Sequence, residues 1–107
     1  MPTDTSNTSK TLNVTSTSNY VWFDVRSLSV AAIEIDAANA SGGWALQVLR
    51  SARQSGDVGY AFATDLTFSA SGISEPFDIT GCQRVGVKVT STGTGSVEVF
   101  IIAKADR

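Results

Sequence analysis

Residues 84–104 read RVGVKVTSTGTGSVEVFIIAK, and this stretch decides the fold class of the chain. Val85, Val87 and Val89 alternate with polar or small residues, which is the period-two pattern of a half-buried strand. Residues 91–95 (STGTG) then supply two glycines that can adopt a positive φ in a turn, so we predict an antiparallel hairpin. The returning strand repeats the alternation, with one apolar face formed by Val97, Val99, Ile101 and Ala103.

Phe100 and Ile102 fall on the opposite face of that second strand, between Glu98 and Lys104. Two apolar side chains in this place leave two arrangements open. Either loops of the same chain cover them, or they form part of a contact with another subunit.

The rest of the chain continues the pattern of short apolar segments separated by small-residue turns. No window has a helical period, and a spacing of about 8–12 residues is typical of a sandwich or barrel. Pro76 within a strand favours an edge position there. We predict an all-β fold, a single antiparallel β-sandwich (jelly-roll or immunoglobulin-like) of about eight strands. The predicted strands are Thr11–Thr15, Tyr20–Val25, Leu28–Ile35, Trp44–Ser51, Tyr60–Phe68 (interrupted), Ile73–Ile79, Gln83–Thr90 and Ser96–Lys104.

The N-terminal residues 1–19 form a polar arm ahead of the sandwich domain at residues 20–107. Thirteen of these nineteen residues are Ser, Thr or Asn, so little apolar burial offsets the entropy lost on ordering. Leu12 and Val14 alternate with polar residues, which makes the second half of the arm a candidate strand that could add to a partner's sheet edge. For residues 1–9 we expect order only where a partner holds them.

Composition excludes several classes of function. A chain of 107 residues with a net charge of −2 has no basic patch for nucleic acid, and no apolar run could span a membrane. Its beginning does not resemble a signal peptide, and Cys82, the single cysteine, allows no intrachain disulfide. We therefore expect synthesis in a reducing cytoplasm.

The sequence offers no catalytic constellation. It contains no histidine, and no spacing selects a working pair among its ten carboxylates. We expect no enzymatic activity, no cofactor and no metal site.

The aromatic residues permit an alternative. Tyr20 and Trp22 share one face of a strand, and Tyr60 follows a glycine, so an exposed group of rings could stack on sugars. Trp44 fits the core. For Tyr20 and Trp22 we favour the core or a subunit interface over a sugar platform.

The hairpin and residues 43–51 (GWALQVLRS) belong to a short chain rich in Thr, Ser, Gly and Val. In this composition and strand pattern, over roughly Tyr20–Ala103, the chain resembles small β-sandwich structural proteins of tailed-bacteriophage virions. The resemblance is strongest to capsid decoration (cement) proteins. The resemblance implies a non-enzymatic protein on the virion that binds the outer surface of the shell. It also implies the major capsid protein and further copies of the chain as partners, with a trimer favoured.

The residues that we expect to contact these partners lie in the arm and on the two exposed faces. They are Thr3, Thr5, Asn7, Thr8, Leu12, Val14, Tyr20, Trp22, Phe100 and Ile102. Two other functions stay open at this point: a carbohydrate-binding or fibre-associated receptor module that takes glycans, and a tail or neck subunit of the virion.

Overall fold

Two antiparallel sheets packed face to face form the protein in the computed structural model, which describes residues 5–62 and 66–105. Within those residues there is no helix, and hence no helix that is long and apolar enough to cross a membrane. The strands are β1 Thr5–Asn13, β2 Tyr20–Asp24, β3 Val30–Asp36, β4 Ala40–Ser41, β5 Ala45–Ser51, β6 Tyr60–Ala61, β7 Thr67–Phe68, β8 Gly72–Ile73, β9 Phe77–Asp78, β10 Arg84–Ser91 and β11 Thr94–Lys104.

Each sheet is built around one of the two long C-terminal strands. Sheet 1 has the order β1-β11-β3-β8, with β4 paired to β11 and β9 paired to β3. Sheet 2 has the order β2-β10-β5-β6, with β7 paired to β5. The predicted all-β sandwich is confirmed, although the described residues form eleven strands rather than about eight. The short strands β6–β9 replace the two longer segments predicted between residues 60 and 79, and β4 was not predicted.

The core lies between the sheets and follows the alternation of the sequence. Val85, Val87 and Val89 of β10 have no exposed surface. Val99 and Ile101 of β11 expose at most 1 % of theirs. Each fully buried side chain of this size contributes about 1.5–3 kcal/mol relative to exposure, so these two rows are a large part of the core of the sandwich. Trp44 is 5 % exposed and belongs to the core, as predicted.

The predicted hairpin between β10 and β11 is wrong, because these strands belong to different sheets. β10 pairs with β2 and β5, whereas β11 pairs with β1, β3 and β4. Crossing from one sheet to the other lets both valine-rich faces meet across the core, which a hairpin within one sheet would not do.

The chain crosses from sheet 2 to sheet 1 at residues 91–95, and the geometry of this crossing requires glycine at positions 93 and 95. Gly95 has a φ of 82°, and a side chain at Gly93 would meet the Ser41 carbonyl and the Trp44 side chain. The Gly93 N–H donates to the Val14 carbonyl at 2.9 Å, and the Val14 N–H donates to the Gly95 carbonyl at 3.1 Å. Of the two predicted positive-φ glycines only Gly95 has that conformation; Gly93 is needed for close approach.

Residues 5–13 of the polar arm form a strand of the sandwich. β1 pairs with β11 along its whole length, from Thr5 opposite Lys104 to Asn13 opposite Ser96. The expectation that only a partner could order residues 5–9 is therefore wrong, because the backbone of β11 orders them through hydrogen bonds rather than through apolar burial. Residues 1–4, with the predicted contact residue Thr3, lie outside the described residues.

Candidate interaction surfaces

The outer face of sheet 1 carries apolar side chains that no layer of the described residues covers. Ile102 is 46 % exposed and Ile73 is 67 % exposed, while Phe100 is half-buried. The prediction that Phe100 and Ile102 point away from the core is confirmed. We call this surface the apolar strip; its residues are Val30, Ala32, Ile73, Pro76, Phe100 and Ile102.

Strand pairing builds the apolar strip from distant parts of the chain. Ile102 of β11 lies opposite Ala32 of β3, and Glu34 of β3 lies between Phe100 and Ile73 in the register. A shallow groove of about 210 Å³ runs along the strip beside Ile102 and Lys104. Lys104 lies at the margin of the strip, whereas Glu34 separates Ile73 from Phe100 within it. An apolar centre with few charged residues is typical of a protein-binding patch.

The exposed row of β1 continues this face as a polar margin. Asn7 lies opposite Ile102, and Ser9 lies opposite Phe100. Thr8 has the opposite parity and lies on the other side of β1, where the strand pairs it with buried Ile101. The structure therefore joins Asn7 to the two predicted residues of β11 on a single surface.

Leu12 and Val14 do not belong to any outer surface. They are 2 % and 0 % exposed and pack in the common core of the two sheets. Their alternation predicted a strand, and Leu12 lies in β1; the sheet edge that this strand joins is β11 of the same chain. For Thr5 the structure describes the backbone pairing with Lys104.

The outer face of sheet 2 carries Trp22 in a fixed position. The ring lies on Gly86, where an added Cβ would come within 2.8 Å of the ring atom Cδ2, and its far end lies on Gly59. The indole N–H donates to Asp57 Oδ1 at 2.9 Å, and the Tyr20 ring stacks against it with centroids 5.7 Å apart.

Arg84 fastens the loop at residues 52–59 to the same place. Its guanidinium carbon lies 4.3 Å from the centroid of the Trp22 ring, within the range of a cation–π contact. The guanidinium also donates to the carbonyls of Arg53 and Gly56 at 2.8 and 2.7 Å. The glycine within the valine alternation of β10 was the one sequence signal for this arrangement, because a strand glycine often marks a close approach.

Side chains and backbone of the protein itself thus cover much of the Trp22 ring. Tyr60, on β6, has no such contacts to its ring in the described residues. Tyr60 is 67 % exposed and lines a shallow depression of about 360 Å³ with Arg50 and Arg53. The sequence grouped Tyr20, Trp22 and Tyr60 as candidate rings; the structure stacks the first two and leaves the third the most exposed.

Cys82 is the one cysteine of the chain, and the carboxylates of the described residues are dispersed. Across residues 5–62 and 66–105, no group of three Cys, Asp or Glu side chains could hold a metal ion. Burial raises the pKa of the half-buried Cys82 thiol; Arg50 opposes this shift, and Asp78 adds to it. The thiol is therefore less ionised at neutral pH than that of a free cysteine.

Comparison with known proteins shows that the fold of this chain occurs in a solved structure. No family model matches the chain, and no curated protein matches it. The crystal structure of the SPBc2 prophage-derived protein YomS is similar with a TM-score of 0.55 and 21 % identity over 96 % of each chain. A structure of the disulfide-linked pili of Bacillus endospore appendages is more distant, with a TM-score of 0.47 and 13 % identity over 99 % of this chain and 93 % of the other. The chain therefore shares the fold of a prophage-derived β protein over almost its entire length.

Proposed function

We propose that this protein is a non-enzymatic structural protein of a phage particle. In this role it binds the outer surface of the capsid shell and stabilises contacts between capsid subunits. The observation that carries the proposal is the apolar strip, an uncovered apolar surface on the outer face of sheet 1. The resemblance of the sequence to decoration proteins supports it, and so does the fold shared with prophage-derived YomS.

The strip has the properties that such a contact needs. Ile102 retains 46 % of its surface in water, so covering it contributes roughly 1 kcal/mol, about half of the value for a whole side chain. One contact of this kind is weak. A shell presents the same site many times, and linked copies of a weak binder are retained far more strongly than single ones.

Co-sedimentation with expanded heads of the phage that encodes the chain tests the proposal. We expect the wild-type protein to co-sediment saturably and Ile102→Lys to lower its affinity at least tenfold, because a lysine ammonium would be buried against the shell. Tyr60→Lys is the matched control, since it replaces a side chain that is 67 % exposed on the other sheet. Failure of the wild type to bind, or equal losses in both variants, would contradict the proposal.

A carbohydrate-binding or fibre-associated receptor role is the second candidate, and the exposure of Tyr60 beside Arg50 and Arg53 favours it. An exposed ring next to cationic side chains could stack on an acidic sugar. Titration of wild-type and Tyr60→Ala protein against a panel of acidic and neutral glycans, followed by NMR, separates the two functions. Glycan-dependent shifts that Tyr60→Ala abolishes would support this candidate, and their absence would exclude it.

A further inference from the structure

The outer edge of β1 is a long strand edge without a partner strand in the described part of the chain. β1 runs for nine residues with no proline, and its pairing partner is β11, on its inner side. Long exposed strand edges are templates for pairing with another chain, and proteins usually shorten or block them.

The hydrogen bonds identify which backbone groups face outward. The Val14 N–H donates to the Gly95 carbonyl of β11, so the even-numbered residues of β1 direct their backbone groups inward. The odd-numbered residues then direct theirs outward. The side-chain amide of Asn19 donates to the Asn13 carbonyl at 3.0 Å, which independently places that carbonyl on the outer edge. The open groups are those of Asn7, Ser9 and Thr11.

In contrast to β1, the neighbouring edge strand of sheet 2, β2, is short and partly blocked. β2 has only five residues, and the ammonium of Lys10, reaching across from β1, donates to the Trp22 carbonyl. Lys10 therefore closes the edge of β2 and leaves that of β1 open.

We propose that two copies of this chain pair antiparallel through the outer edges of β1, about a two-fold axis at Ser9. Outward-facing residues must meet outward-facing residues, so Ser9 lies opposite Ser9 and Asn7 lies opposite Thr11. All nine residues of β1 then overlap. The facing hydroxyl and amide side chains form cross-strand pairs that stabilise such a ladder.

Charge and length select this register over its neighbours. Pairing Ser9 with Thr11 would place Lys10 opposite Lys10, and like charges directly opposite each other are destabilising. Pairing Ser9 with Asn7 would let only seven of the nine residues of β1 overlap with the β1 strand of the other copy. With Ser9 on the axis, Lys10 lies opposite Thr8, and the strand carries no other charge.

Pairing of this kind has a consequence for shell binding. A two-fold axis perpendicular to the sheet keeps the same face of both copies on the same side. The two β11 strands would lie three strand spacings apart, about 14 Å, with both apolar strips facing one surface. The dimer could then bind the shell through both strips at once. That consequence rests on the proposed function, whereas the pairing of the β1 strands does not depend on it. It also gives a dimer, where the resemblance favoured a trimer.

Analytical ultracentrifugation of the full chain from micromolar to millimolar concentration tests the pairing. Wild type is expected to form a dimer. Ser9→Pro removes an outward N–H without touching the ladder to β11, so it should be monomeric with an almost unchanged melting temperature. Ser9→Ala keeps the N–H and should stay dimeric. A wild type that is monomeric or trimeric throughout, or a dimeric Ser9→Pro variant, would overturn the proposal.

A second pair of variants fixes the register and remains informative if Ser9→Pro fails to fold. In a Cys82→Ser background, Ser9→Cys places two thiols opposite each other across the axis, with Cα atoms about 5.5 Å apart, within the disulfide range. Asn7→Cys places its thiol opposite Thr11. Mild oxidation should cross-link the Ser9→Cys variant at least tenfold faster than the Asn7→Cys variant. Equal rates, or a faster Asn7→Cys variant, would contradict the register.

Discussion

Gly86 lies beneath the Trp22 ring in the middle of β10, and we expect Gly86→Ala to destabilise the protein. The added Cβ would come within 2.5 Å of the ring atom Cζ3 and 2.8 Å of Cδ2, and closer still to Cε3. Since carbon atoms in good contact are about 3.5–4.0 Å apart, the ring must rise by roughly 1 Å. The ring cannot rise freely, because Asp57 holds its N–H and Tyr20 stacks against it.

The size of the effect follows from these contacts. Overpacking of this kind costs about 1–3 kcal/mol, and weakening the indole hydrogen bond to Asp57 adds up to about 1 kcal/mol. We expect a loss of about 2 kcal/mol in the free energy of unfolding. For a domain of this size that lowers the melting temperature by roughly 10 °C.

Urea unfolding followed by circular dichroism measures this loss in a double-mutant cycle. In a Trp22→Ala background there is no ring to displace, so Gly86→Ala should change the free energy of unfolding by less than about 0.5 kcal/mol. Gly43→Ala is the matched control, because its Cβ would meet nothing within 4 Å and its backbone needs no positive φ. If Gly86→Ala cost the same in both backgrounds, or nothing in the wild type, the position inferred for Trp22 would be refuted.

Three further predictions concern single side chains. Lys10→Met keeps the apolar stem but loses the hydrogen bond to the Trp22 carbonyl, so urea unfolding should show a loss of about 0.5–1.5 kcal/mol; no change would mean that this bond is not formed in solution. Hydrogen bonds from Arg26, together with its charge, hold the pKa of Asp24 below its ordinary value of 3.8. The contribution of this pair to the free energy of unfolding is therefore complete above pH 3.8 and is lost as the pH falls through the lower pKa of the folded state. NMR titration of Arg26→Ala should show the pKa of Asp24 returning towards 3.8, and an unaltered titration would contradict the pairing. Because burial raises the pKa of Cys82, iodoacetamide at pH 8 should alkylate the folded protein more slowly than the urea-unfolded chain, and equal rates would show an exposed thiol.

The alternation of apolar residues was enough to predict the class of the fold but not the partners of its strands. Val85 and Val97 begin the same pattern whether their strands lie side by side or face each other across a core. What distinguishes the two arrangements is pairing with β2, β5, β1 and β3, which are distant in sequence. Local turn chemistry at residues 91–95 suits a hairpin and a crossing alike.

The candidate surfaces show the same division between local and distant information. Phe100 and Ile102 were predicted to point outward because their own strand fixes their parity. Leu12 and Val14 have the same kind of alternation, yet they are core residues, since the side they face depends on the sheet they join. The contact between Trp22 and Gly86 needed the register of β2 against β10, which no local pattern contains.

Cryo-electron microscopy of intact particles of the phage proposed to carry this protein tests the central claim most directly. We predict density for the protein on the outside of the capsid shell, with Phe100 and Ile102 of sheet 1 against the capsid subunits and β1 strands paired at two-fold contacts. Density in the tail or neck, or capsid contacts made through the Trp22 face of sheet 2, would contradict the account.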